Sequence, residues 1–299
     1  MTESTVYAIA SGKGGVGKTT LTINLGAALA ARGRTTVIVD ADLGMANMAT
    51  FLGLESSAPN LHDVLAGSIQ IHEAAAEIED GFAGIPGGNS LEAFAEADTE
   101  VLESVIDELR EAFDIVLIDV GAGLSHDTVL PIGLADEIIL VATPDLAAIE
   151  NAEKSKQLAE RMGKQILGIV LTRTGSQFDL DVNTVGRELE VLVLAVIPED
   201  EAVHESLDAR TPVVNLRPTA PAAIGFAGLA RYLDGEDIQI PIKPKAPERE
   251  EIAVDAGPSA PAEANGDSSD DKQEEAPPTE ADETETKRKG LLARLLDKF

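Results

Sequence analysis

Among 299 residues there is no cysteine and no tryptophan, and aromatic residues make up 3% of the chain. Without cysteine there can be no disulfide framework, thiolate zinc site, protein-held iron–sulfur cluster or cysteine nucleophile. Basic residues are also scarce, 23 Lys and Arg against 53 Asp and Glu, for a formal charge of −30. So acidic a surface repels phosphate backbones, which argues against nucleic acid as a partner. We read the charge as a mark of habitat, that of a halophilic source. No run reaches 18 apolar residues, and the N-terminus has no basic segment leading into an apolar one, so the expectation is a cytoplasmic chain that does not span a membrane. The four histidines, His62, His72, His126 and His204, lack metal-ligand spacing and read as surface or helix residues.

What is present divides the chain into three. Residues 1–233 hold 35 acids and 14 bases, a net of −21, with regular apolar runs; this is the folded part. Residues 234–286 hold 17 acids and 4 bases with many Pro, Ala and Ser, a composition that cannot offset ordering entropy and predicts a disordered acidic linker. Residues 287–299, KRKGLLARLLDKF, reverse sign to five bases and one acid.

In the first part, Val6–Ala10, Thr36–Val39, Ile115–Ile118, Ile138–Ala142, Ile166–Leu171 and Leu192–Ile197 are apolar runs without polar alternation, which predicts buried strands. Helical patterns lie at Thr19–Ala31, Glu100–Phe113, Leu146–Met162, Val182–Glu190 and Ala220–Leu233. The alternation predicts an α/β fold, a single domain around a doubly wound, mostly parallel sheet with its ligand at the carboxyl ends of the strands.

Between the first strand and first helix, Gly12-Lys13-Gly14-Gly15-Val16-Gly17-Lys18-Thr19 satisfies G-x-x-x-x-G-K-[ST], a phosphate-binding loop in its required context. Its glycines let backbone N–H groups wrap a phosphate chain at the positive end of a helix. Lys18 then neutralises terminal phosphates, and the Thr19 hydroxyl is placed for Mg²⁺. Thr20 follows within the same cradle.

The additional Lys13 makes this loop resemble that of the deviant Walker-A ATPases, the MinD/ParA superfamily. The resemblance covers about residues 4–233 and implies an ATP hydrolase using ATP and Mg²⁺. Lys13 would reach the phosphates of a second subunit in an ATP-bound homodimer. Asp40-Ala41-Asp42-Leu43-Gly44 resembles the family's first switch, so that Asp42 orients the attacking water and Asp40 supports the metal. Ile115–Asp119 is the strand ending in an acid that holds a magnesium-bound water, and Gly121-Ala122-Gly123 resembles the second switch, with Gly123 sensing the γ-phosphate and Gly121 where many relatives carry proline. For the adenine the resemblance implicates Arg173, Pro198 and Asp200, while Thr172 stands where relatives carry asparagine.

The tail has a helical apolar face of Leu291, Leu292, Leu295, Leu296 and Phe299 behind the basic Lys287, Arg288 and Lys289. It reads as an amphipathic helix for the inner membrane surface or for docking a partner, and it resembles the end of the MinD branch. That branch implies reversible peripheral attachment, an unidentified activating or cargo protein, and positioning of a division site, motility motor or chemosensory array. The rival readings are a ParA-like DNA-partition ATPase, which needs a basic surface, and a metabolic ligase of the dethiobiotin-synthetase type, which leaves the tail unexplained.

Overall fold

The computed structural model describes residues 4–42, 46–55, 57–88, 99–123 and 126–236; the predicted linker beyond 236 and the tail helix lie outside them. The strands are β1 (Thr5–Ser11), β2 (Thr36–Ala41), β3 (Ala76–Glu79), β4 (Phe82–Ile85), β5 (Ile115–Ala122), β6 (Glu137–Ala142), β7 (Gln165–Thr174) and β8 (Val193–Pro198). They form one sheet in the order β3-β4-β2-β5-β1-β6-β7-β8, parallel throughout except for the edge pair β3 and β4. The helices are α1 (Lys18–Ala30), α2 (Met48–Leu52), α3 (Leu61–Leu65), α4 (Ile71–Ala74), α5 (Thr99–Ala112), α6 (His126–Leu134), α7 (Leu146–Arg161), α8 (Val182–Glu188), α9 (Glu201–Asp208), α10 (Val213–Leu216) and α11 (Pro221–Leu233).

Successive strand residues feed two cores, which is why the strands read as continuous apolar runs. Ile9, Ile38, Leu117 and Ile139 pack with Leu21, Leu25 and Leu29 of α1 and Phe226 and Leu229 of α11 on one face. Ala8, Val39, Ile118 and Leu140 pack with Ile106 of α5, Ile132 of α6 and Ile149 of α7 on the other. Helix α1 is buried around most of its circumference, wedged between sheet and α11. All six predicted strands and all five predicted helices are present, with ends shifted by a few residues.

The structure sharpens two readings. Strand β5 continues through Asp119 to Ala122, because Ala122 pairs with Ser11 across a register shift in β1. Of the two readings of His62, surface or helix, the second holds: it lies in α3 and is 1% exposed. The reciprocal capping bonds of Asn60 and Asp63 start α3 so that His62 turns inward, where its ring fills the space a Cβ on Gly88 would occupy.

The strand starts are fastened by Asp136, which accepts from Val6 N–H at 2.8 Å and from both Arg110 guanidinium nitrogens at 2.8 Å. Burial alone would push this carboxyl up, but the Arg110 hydrogen bonds and the Val6 N–H outweigh it and hold it below the ordinary range. A depressed carboxylate stabilises the fold above its unfolded pKa, and that contribution is lost as the pH falls through the lowered value. Asp136→Asn is expected to cost about 1 kcal/mol in urea unfolding at neutral pH, kept small by solvent screening of a partly exposed side chain. The difference from wild type should close in acid below the usual Asp range.

Candidate functional site

Strand register builds the site. Asp40 and Asp119 are paired residues on neighbouring β2 and β5, and Ile9 of β1 pairs with Asp119 on its other side. Both carboxyls therefore emerge on one face at the carboxyl ends of the strands, beside the loop that leaves β1. That loop enters α1 through Gly17, whose φ of 93° is left-handed and suits glycine, and no side chain caps the helix. Its first N–H groups are thus left for an anion.

Gly12 is required by a close approach. A Cβ there would lie 2.2 Å from the backbone oxygen of Asn151 on α7. Gly12→Ala is expected to push the loop off α7, costing about 1–3 kcal/mol of overpacking strain; nucleotide affinity, measured by isothermal titration calorimetry, should fall with it. Ser11 Oγ donates to Lys13 O at 2.8 Å, and Thr172 Oγ1 donates to Val16 O at 2.6 Å, so the loop is tied down at both ends. Thr172 is buried, and its hydroxyl serves the loop backbone. Gly14 and Gly15 span the exposed crest between these ties, and Val16 is buried.

Lys18 is 8% exposed. Burial pushes its ammonium down, against the pull of Asp119, Asp42 and Asp40. Thr19 Oγ1 donates to Asp119 Oδ2 at 2.5 Å, while Asp119 Oδ1 is buried with no hydrogen-bond partner among the described residues. Burial, and then repulsion from Asp40, raise the Asp119 carboxyl above the usual range; burial raises that of Asp40 as well, against the Met48 and Asp42 N–H bonds it accepts. The cluster is therefore short of positive charge. A hydroxyl and a carboxylate oxygen awaiting a partner suit Mg²⁺, which takes oxygen ligands, uses one or two carboxylates and completes its shell with phosphate and water. Asp40 is differently engaged: it accepts from Asp42 N–H at 3.2 Å, Asn47 N–H at 3.2 Å and Met48 N–H at 3.1 Å, so it anchors the loop after β2 and the start of α2. Asp42 is half-buried and lies against Gly121, its Oδ1 3.4 Å from where a Cβ on that glycine would sit. Gly123, two residues on, donates its N–H to Ser11 O at 3.2 Å, bringing the end of β5 beside the loop.

At the rim, Lys13 Nζ lies 3.5 Å from Asp145 Oδ1, both side chains nearly half exposed. Asp145 also caps α7, accepting from Ala148 N–H. Arg173 has a left-handed backbone at φ 52° and an exposed side chain 3.9 Å from Glu199. Pro198 ends β8 next to Thr174, and Asp200 accepts from Ala202 N–H and Ala222 N–H, bracing α9 against α11. Thr20 O accepts from Asn24 within α1. Leu43 and Gly44 lie outside the described residues; the other expected residues of loop, switches and rim lie at the carboxyl ends of the strands. Asp145, Asn151 and the loop-anchoring use of Thr172 were not foreseen, since each is a through-space contact with no local motif.

The profile of the CobQ/CobB/MinD/ParA nucleotide binding domain matches residues 7–213. An uncharacterized ATP-binding protein of Methanocaldococcus jannaschii is 38% identical over 239 residues, 80% of this chain and 90% of that protein. The septum site-determining protein MinD of Synechocystis is 31% identical over 243 residues, covering 78% and 90%. Among solved structures, Pyrococcus horikoshii MinD complexed with Mg-ADP superposes with a TM-score of 0.74 at 35% identity, covering 78% of this chain and 96% of that one.

Proposed function

Because this chain belongs to the CobQ/CobB/MinD/ParA nucleotide-binding family, we propose that it is a MinD-like switch whose ATP-dependent pairing and membrane attachment position a cellular machine. It is a P-loop ATPase, and its site takes ATP with Mg²⁺. Magnesium, when bound, offsets the charge of the outer phosphates. Thr19 and Asp119 would hold it, with Asp40 fixing the loop behind them. Backbone N–H groups of residues 12–19 bind the phosphate chain, Lys18 pairs with its terminal charge, Asp42 orients the attacking water, and Gly123 senses the γ-phosphate. Arg173, Pro198 and Asp200 flank the adenine.

The observation that carries the switch reading is Lys13. It lies on the phosphate loop yet points outward, held by one exposed ion pair to Asp145. Exposed pairs are worth about 1 kcal/mol or less, so Lys13 is free to exchange this carboxylate for a phosphate on a facing subunit. A homodimer closed by two such lysines would present two tails to the inner membrane surface, and hydrolysis, stimulated by an activating or cargo protein, would release them. One face of Leu291, Leu292, Leu295, Leu296 and Phe299 gives marginal attachment, whereas two on one dimer gain from effective concentration. Among the described residues no helix is long and apolar enough to cross a membrane, in keeping with a peripheral mode.

Liposome co-sedimentation tests this. Pelleting of the full chain with ATP, its loss with ADP, and its loss for a chain ending at Thr286 are the expected results. A full chain that stays in the supernatant with ATP while hydrolysis proceeds makes the tail a protein-docking helix. DNA retention by the tail-less chain would revive the partition reading.

A further inference from the structure

At the opposite end of the sheet from the phosphate loop, a cavity of about 350 Å³ opens between the starts of β1, β6 and β7 and the end of α11. That volume is at the lower end of the range for small-molecule sites. Tyr7 precedes Ser11 by four residues along β1, roughly 13 Å at strand rise, so the cavity is distinct from the nucleotide site. It is lined by Tyr7 and Tyr232, the aliphatic Leu167 and Leu233, Gly235, and the acidic Glu137 and Glu236. No basic side chain lines it.

The carboxylates differ in what they already hold. Glu236 pairs with Arg32 and Arg231, and its neighbour Asp234 with Arg32. Asp136, beside Glu137 in sequence, is taken by Arg110. Glu137 has no cationic partner among the described residues, although burial and Asp136 both push its carboxyl up, the mark of a negative charge lacking compensation. Opposite it in register stands Tyr7, 7% exposed, whose hydroxyl makes no hydrogen bond among the described residues. Burial, and then Glu137, push that hydroxyl to about 12, so it stays a neutral donor and acceptor. Arg34 approaches Tyr7 but lies 3.9 Å from Asp234 and does not line the cavity.

We propose that this cavity binds an alkylammonium group on an aliphatic stem. The ammonium would pair with Glu137 and donate to the Tyr7 hydroxyl, the aromatic faces would favour a cation over a neutral group, and Leu167 and Leu233 would cover the methylenes. Such a group arrives either as a free aliphatic diamine or as a lysine side chain of a polypeptide.

The chain supplies its own reporter, because its two tyrosines both line this cavity and there is no tryptophan. Intrinsic tyrosine fluorescence of the full chain should change saturably on titration with 1,5-diaminopentane and not with 1-pentanol or pentanoate at equal ionic strength. Glu137→Gln should weaken the diamine about tenfold or more, with ATP hydrolysis unaltered. Tyr232→Leu, read through Tyr7, should weaken it as well and serves if the first variant does not fold. Nα-acetyl-lysine N-methylamide binding as well as the diamine assigns the group to a polypeptide lysine; diamine binding alone assigns it to a free amine. No saturable change with either amine, undiminished affinity in both variants, or a pentanol response matching that of the diamine overturns the proposal.

Discussion

Asp42→Ala is expected to lower the ATP turnover number by about 10² to 10⁴, the range for removing a positioned group that manages the proton of the attacking water, while ATP remains bound. The geometry separates the two properties. Asp42 lies outside Gly12–Thr19, beyond the end of β2, its backbone N–H tied to Asp40 Oδ1 and its carboxylate against Gly121. Truncating it is expected to leave in place the backbone N–H groups of Gly12–Thr19 that hold the phosphate chain. Single-turnover hydrolysis alongside equilibrium dialysis of ATP checks both halves, and an unchanged rate removes Asp42 from the chemistry.

Lys18→Met should act on binding and rate together. The ammonium is buried among Asp119, Asp42 and Asp40, and burial has already pushed it down, so it enters the complex with little hydration left to lose. Charge contacts in such a water-poor site are worth more than in solvent, and deleting one aimed at developing charge typically costs 10²–10³ in rate, with ground-state affinity lost in addition. We expect kcat/KM for ATP to fall by roughly 10³ or more, with far-UV circular dichroism unchanged because methionine fills the same channel. Retained activity would mean that the loop backbone alone carries the phosphates.

The central strands and the phosphate loop were legible because their signals are local. An apolar run of five or six residues has one sensible place in a sheet covered on both faces, and the glycine spacing of residues 12–19 states its backbone geometry directly. The edge was not. Ala76–Glu79 and Phe82–Ile85 are four residues each, the first only partly buried and the second interrupted by Gly84, too short for a period to emerge. The short helices depend on caps from afar: α2 receives its first bonds from Asp40 on β2, and α9 is capped by an Asp200 that also reaches α11. Helix α6 contains Pro131, which reads as a breaker. At the site the same divide holds. The residue types announced themselves, but the Asp145 partner of Lys13, the Asn151 oxygen against Gly12 and the Thr172 bond to Val16 exist only once β6, β7 and α7 are assembled.

The central claim is that nucleotide state controls pairing through Lys13, and solution mass tests it most directly. Light scattering of the Asp42→Ala protein, which should retain its ATP, is expected to give a dimer with ATP and Mg²⁺ and a monomer with ADP. Adding Lys13→Ala should return the ATP-bound protein to a monomer without loss of bound nucleotide. A dimer that persists without Lys13, or a monomer in every nucleotide state, would contradict the account.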